Sequence, residues 1–315
     1  MGALVVGAVL LLFLGRTPAA PALPNPNGYD DLVKAGQELI KTTDDPADLD
    51  LTHFRALVAT NAEPLRRLRL GLTRRCAVPT QAISTNFNGH SHDLGDLKQL
   101  ARALSAEGRL AELENRPVDA ARSYIECIRL GNEISRGGVL ITRLVGIAIE
   151  VMGGRQLAKL IPKLRCEQMR ALVTELEQII GNSVTWEGVL ANERIFARAQ
   201  MGKDWLGWLN PIRFVAGWWQ ARNGGKRIET KHDLAAGHFR LMLTELALRC
   251  YRCDQGSAPD SLQGLVPKYL RQMPSDPFRG QPLVYRPDGT NWTLLSASRA
   301  GNGQAIQADM PYDSP

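Results

Sequence analysis

Residues 93–134 read DLGDLKQLARALSAEGRLAELENRPVDAARSYIECIRLGNEI, and this stretch decides the class of fold. Leu97, Leu100, Leu104, Leu110 and Leu113 recur at helical spacing, which marks one apolar face of an α-helix. Asp93 stands where an N-cap would. Asn115-Arg116-Pro117 then makes a short turn. Proline suits the first turn of a helix because its missing N–H would have no partner there. The second helix runs to about Ile134. Each helix must bury its apolar stripe, so a tight turn between two of them predicts an antiparallel pair.

The same reading extends in both directions. Tyr29 to Lys41 opens with Asp30 and Asp31, which suit the positive end of a helix dipole. Leu51 to Arg74 is periodic but contains Pro64, predicting two helices or one kinked helix. Cys76 to His92 is rich in Thr, Ser, Asn and Gly and reads as a surface loop. Val139 to Ile161 is the most apolar internal segment. Arg143, Glu150, Arg155 and Lys159 interrupt it, so it reads as a buried core helix rather than a membrane span. Leu164 to Ile180 and Thr185 to Met201 are further amphipathic helices, the second capped by Thr185. Ile228 to Arg252 is another.

The composition fits this picture. The chain has 315 residues, 44% hydrophobic and 22% charged. Those values exclude wholesale disorder and a multi-spanning membrane protein. Aromatic residues at 6%, without a strand-rich pattern, exclude a large all-β fold. The net charge of +6 favours loose attraction to anionic surfaces. Its densest basic run is Arg66, Arg67, Arg69, Arg74 and Arg75. No aromatic platform accompanies it, so it reads as the solvated face of a helix, and no nucleic-acid partner is expected.

Residues 2–15, GALVVGAVLLLFLG, carry no charge. Fourteen helical residues span about 21 Å, short for a bilayer and right for the apolar core of a signal peptide. Ala20-Pro21-Ala22 has the small-x-small form of a cleavage site. Residues 1–22 are therefore expected to be a signal peptide or membrane anchor, and the protein exported, either inner-membrane-anchored or periplasmic. Prolines 18, 21, 24 and 26 make residues 23–28 a stiff linker. A helical domain over 29–225 follows. Trp205, Trp208, Trp218 and Trp219 gather in one stretch of it. Tryptophan suits both packing between helices and contact with a membrane or partner. Asn223-Gly224-Gly225-Lys226 reads as a break, with a C-terminal domain over 228–315. Of five cysteines, Cys250 and Cys253 form a CxxC pair at the end of a helical run. A redox CxxC sits at a helix N-terminus. This one reads instead as a chance pair with one buried thiol, or as a local disulfide after export.

After residue 252 the character changes. Leu283-Val284-Tyr285 and Trp292-Thr293-Leu294-Leu295 alternate around Asp288-Gly289, predicting a β-hairpin. The fold expected is thus mainly α, a multi-helix body followed by a small α+β module. The ordered run Tyr251, Gly256, Pro259, Ser261-Leu262, Leu265, Pro267, Tyr269-Leu270, Pro274, Asp276-Pro277-Phe278, Gly280, Pro282-Leu283 and Tyr285 resembles the C-terminal domain of the major pseudopilin of type II secretion. The resemblance implies a long helix packed on a small antiparallel sheet. It also implies envelope or secretion-system proteins as partners. That family binds calcium through an Asp-Gly and a later Asp. Here Ala300-Gly301 stands at the first position, and only Ser296 and Asp309 match. Gly15-Arg16 is not a pseudopilin processing site, and some two hundred helical residues intervene, so the chain does not read as an ordinary filament subunit. Within the body, Gly108, Ala120, Tyr124 and Cys127 fall at the small and aromatic positions of a tetratricopeptide unit, and residues 111–130 resemble one such repeat. The whole chain is similar to a set of uncharacterised bacterial envelope proteins.

For chemistry, the best constellation is His90, His92 and Asp93. Two imidazoles and a carboxylate are zinc-ligand types. A third distant ligand would be needed, and the plainer reading is a polar loop with Asp93 as a cap. There is no GxSxG, Walker loop or GxGxxG, and no cofactor is predicted. The expected function is that of a non-catalytic envelope protein with a helical interaction body. A metal-dependent envelope enzyme built on His90, His92 and Asp93 is the alternative.

Overall fold

The structure is a computed structural model describing residues 22–40, 51–201, 211–276, 280–299 and 305–307. It is mainly helical, with a small antiparallel sheet at the C-terminal end. Among the described residues ten α-helices run in order. They are α1 (Gly28–Glu38), α2 (Leu51–Thr60), α3 (Ala62–Thr73), α4 (Thr80–Thr85), α5 (Phe87–Leu113), α6 (Pro117–Ser135), α7 (Leu140–Leu160), α8 (Cys166–Gly181), α9 (Trp186–Met201) and α10 (Pro211–Gln255). The strands are β1 (Val284–Asp288), β2 (Asn291–Arg299) and β3 (Ala305–Gln307), ordered β1-β2-β3.

The helix pair read from residues 93–134 is α5 and α6. The turn between them closes as a Schellman motif. The N–H of Arg116 donates to the Ala111 carbonyl at 2.8 Å, and that of Asn115 donates to Glu112 at 3.0 Å. Asn115 supplies the left-handed residue the motif requires, with φ 55°. The pair is antiparallel. Gly108 lies against the Tyr124 ring, while Ala101, further back on α5, accepts from Cys127, further on along α6.

α6 and α7 approach more closely still. A Cβ on Gly153 would sit 2.6 Å from the Tyr124 carbonyl oxygen, and one on Gly146 would fall on Ser135 Oγ and the Gly131 carbonyl. This pair divides the body into two cores. Tyr124, Ile125 and Ile128 of α6, with Leu157 and Leu160 of α7, face a cluster completed by α8, α10 and the C-terminal module. Cys127, Leu130 and Ile134 of α6, with Ile149 of α7, face a cluster completed by α1, α3 and α5. Burial on both sides explains why α7 reads as near-continuously apolar.

Several sequence expectations are corrected. Residues 76–92 are not one loop. Asn86 caps α5, its Oδ1 accepting from the N–H of Gly89 at 3.0 Å, so the helix starts before His90 and Asp93 lies inside it rather than capping it. Polar composition marks that cap rather than a loop. The break at Asn223–Lys226 is absent, because α10 runs through it over about 68 Å. The glycines there cost helix propensity without ending the helix. Beyond α10, Leu262–Leu265 form a 3₁₀ turn. The linker's end is anchored. Buried Asn27 accepts from the N–H of Ala77 at 3.0 Å and donates to the Ala77 carbonyl at 2.8 Å.

Other expectations hold. Pro64 lies in the first turn of α3, and the chain breaks before it at buried Asn61, whose side chain pairs with both backbone groups of Ile40. The predicted hairpin is β1–β2, with Gly289 at φ 60° as the first residue of its two-residue loop. The N–H that Pro287 lacks would face the open edge of β1, which leaves that edge poor in donors.

We expect Gly146→Ala to destabilise the protein by about 3 kcal/mol, because its Cβ would meet backbone that cannot retreat. Gly95→Ala, on the open face of α5, should stabilise by about 0.5–1 kcal/mol through helix propensity. Urea denaturation of both variants checks this, and similar effects for the two would refute the close-approach account.

Candidate functional site

Seven residues apart on α7, Arg143 and Glu150 share a face two turns long. They are 3% and 5% exposed. Arg143 Nη1 donates to Glu150 Oε1 at 2.5 Å and Nη2 to Oε2 at 3.1 Å, a bidentate pair. Nη1 also donates to Ser135 Oγ of α6 at 3.2 Å, and Nε donates to His232 Nδ1 of α10 at 3.0 Å. Ser135 Oγ in turn donates to the Gly131 carbonyl at 2.7 Å. Guanidinium nitrogens only donate, so Nδ1 of His232 accepts and its ring is neutral, with the proton on Nε2. The Trp186 ring of α9 lies 5.8 Å from the imidazole. Burial above all, then Arg143 and Arg240, pushes the His232 pKa down to about 4. Glu150 spends both oxygens on the guanidinium, and His232 spends its lone pair there. The arrangement fastens α6, α7 and α10 together, and those atoms present no free base to a substrate.

His90, His92 and Asp93 lie in the first two turns of α5. His90 is buried, with Nε2 2.9 Å from Thr142 Oγ1, and burial lowers its pKa. His92 is exposed. Two positions apart, the imidazoles point about 200° apart around the helix, so they do not converge on one ion. Asp93 Oδ1 accepts from Gln37 Nε2 at 2.9 Å, joining α5 to α1. Among the described residues no three His, Cys, Asp or Glu side chains are grouped to hold a metal.

The basic run is largely paired with carboxylates. Arg66 meets Glu63, Arg67 meets Glu38 and Arg74 meets Asp31, at 2.5–2.8 Å. Arg69 meets both Glu107 and Glu126. Burial raises the Glu126 pKa against the pull of Arg69. Most of these arginines therefore fasten α3 to α1, α5 and α6.

In the C-terminal module the quoted positions are structural. Gly256 and Gly280 have φ 76° and 63°, which favours glycine. Pro259 and Leu262 are buried, Pro267 is exposed, and Pro274 is half-buried. Tyr285 Oη donates to the Pro259 carbonyl at 2.7 Å, and the Tyr251 and Tyr269 rings lie 5.5 Å apart. Asp276 is fully buried and accepts from Ser296 Oγ. Ser296 thus faces the interior of the module. Pro277, Phe278 and Asp309 lie outside the described residues, as do residues 1–21 with Trp205 and Trp208. Of Trp218 and Trp219 only the helical backbone is described. No helix among the described residues is long and apolar enough to cross a membrane.

The cysteines correct the CxxC reading. Cys253 bonds to Cys166, 87 residues away, tying the last turn of α10 to the start of α8. Cys250 is a buried thiol that burial pushes up to about 11, so it is not a reactive nucleophile. Only the expectation of one buried thiol holds. Sequence reasoning missed both this bridge and the Arg143 network. The charges inside the most apolar helix were the one signal that pointed to the network.

No family model, curated protein or solved structure matches the chain.

Glu150→Gln removes the counter-ion of a buried guanidinium, and we expect a loss of about 3–5 kcal/mol in urea denaturation. The double variant Arg143→Met/Glu150→Leu should lose less than the single one, since it leaves no unpaired charge. Additive losses would refute the pairing.

Proposed function

We propose that this is an exported or membrane-anchored cell-envelope protein that works by holding other envelope or secretion-system proteins rather than by catalysis. Its helical body would be the interaction scaffold and its C-terminal module a structural docking domain. The observation that carries this is the Cys166–Cys253 disulfide. Disulfides persist in oxidising compartments and are rare in the reducing cytosol. The bridge supports the export expected from residues 1–22. The non-catalytic part of the reading is supported by His90, Arg143, Glu150 and His232, which are engaged in fastening helices.

Thiol counting in the producing cell, combined with fractionation and N-terminal sequencing, tests the reading. Under denaturing, non-reducing conditions a maleimide should label three cysteines, Cys76, Cys127 and Cys250, and reduction should expose all five. The protein should fractionate with the envelope, starting at Leu23 if cleaved and at Met1 if anchored. Five labelled cysteines in a soluble cytosolic fraction would overturn it.

A further inference from the structure

α10 is held by different chemistry at two places, its last turn and His232 near its middle. Its C-terminal half is fixed by the Cys166–Cys253 bond and by Leu241, Leu243, Leu246 and Leu248, all buried in the core shared with α8. Near its middle, before buried Ala235 and Phe239, a polar contact joins the hold. Residues 225–231 are exposed or half-buried, and His232 is the first buried side chain along the helix among those described. Its bond to Arg143 is the cross-link to α7 at that point.

The geometry points to a pH-operated latch: protonation of His232 breaks its bond to Arg143 and frees the turns of α10 around it from α7, while the disulfide keeps the last turn docked. The reason is the direction of the hydrogen bond. Arg143 Nε can only donate, so an imidazolium would set N–H against N–H and cation against cation in a buried site. Arg143 cannot turn away, because Glu150 and Ser135 hold its other nitrogens. The latch needs no particular compartment.

Charged groups stand near His232 on several elements. On α7 they are Arg143 and, behind it, Glu150. On α10 they are Arg240, which also disfavours the imidazolium, and Asp233, which interacts with Glu229, Arg240, Glu187 and, from the C-terminal module, buried Asp276, itself coupled to Arg240. On α9, Trp186 covers the ring, Glu187 follows it, and Glu193 accepts from the N–H of Leu140 at 2.8 Å. Burial raises the carboxyl pKa values of Asp233 and Glu193. Burial thus favours the neutral form of both carboxyls and weakens them as counter-ions to an imidazolium.

The sign follows. A histidine held neutral by the fold contributes stability that is complete above its unfolded pKa of about 6.5 and is lost as pH falls towards about 4. Hydrogen exchange of the full chain, corrected for intrinsic rates, reads the latch directly. Between pH 7 and 4, amides of residues 228–236 should lose protection about tenfold or more, while those of 241–250 change little. His232→Gln retains an acceptor for Arg143 without a titrating group, and should flatten the change to under about twofold. His238→Gln, on the same helix, should keep the native response. Uniform loss along α10 in the native protein would overturn the proposal even if no variant folds. An unchanged response in His232→Gln, or its disappearance in His238→Gln, would overturn it too.

Discussion

The fold depends on how closely α6 and α7 approach. Gly131, Gly146 and Gly153 let their backbones meet where any side chain would hold them apart. That contact brings Ser135 of α6 beside Arg143 of α7, and turns both helices into a wall with a core on either side. Widening the gap would loosen both cores at once. The approach costs helix propensity at three glycines, about 1 kcal/mol each relative to alanine, and gains dense contact along two turns.

The buried ion pair follows from that wall. A helix buried on two sides has nowhere to send a charge, so Arg143 must be satisfied internally. Glu150, Ser135 and His232 do this from three different helices. Such a pair adds little net stability over well-packed apolar residues, because desolvation offsets attraction. What it adds here is register: the guanidinium reaches all three partners only when α6, α7 and α10 sit in one relative position. The surface pairs of Arg66, Arg67 and Arg74 work differently. They are partly solvated, worth less each, and consume positive charge that a basic segment would otherwise present to an anionic partner.

Much of this was legible in the sequence because it is local. Pro117 marks a helix start, Asp288-Gly289 a hairpin, and the charges within Val139–Ile161 a core helix. Each signal lies within a few residues of what it specifies. The misreadings have one physical cause, that a residue's partner can lie far along the chain. His90 was read with His92, its neighbour in sequence, yet its partner is Thr142. Cys253 was read with Cys250, yet it bonds to Cys166. Asn86, Ser91 and their polar neighbours resemble a loop until Asn86 is seen to cap a helix. Asn223 to Lys226 has the composition of a break, but propensity is a weak prior, and the helix continues through it.

The disulfide and the Arg143 network divide the labour along α10. Closing an 87-residue loop restricts the unfolded chain, worth about 4–5 kcal/mol on a chain-entropy account, and it does so independently of pH. The network acts only in the folded state, and its bond to His232 only while that ring is neutral. Were both fastenings covalent, α10 would be rigidly tied along its length. Were both polar, acid would threaten the whole contact with α7 and α8. With one of each, the C-terminal module stays joined to the helical body through the Cys253 end of α10, and any change in charge at His232 is confined to the turns around it. A long helix anchored at its end by a bond and near its middle by a proton-sensitive contact can respond to its surroundings without coming apart.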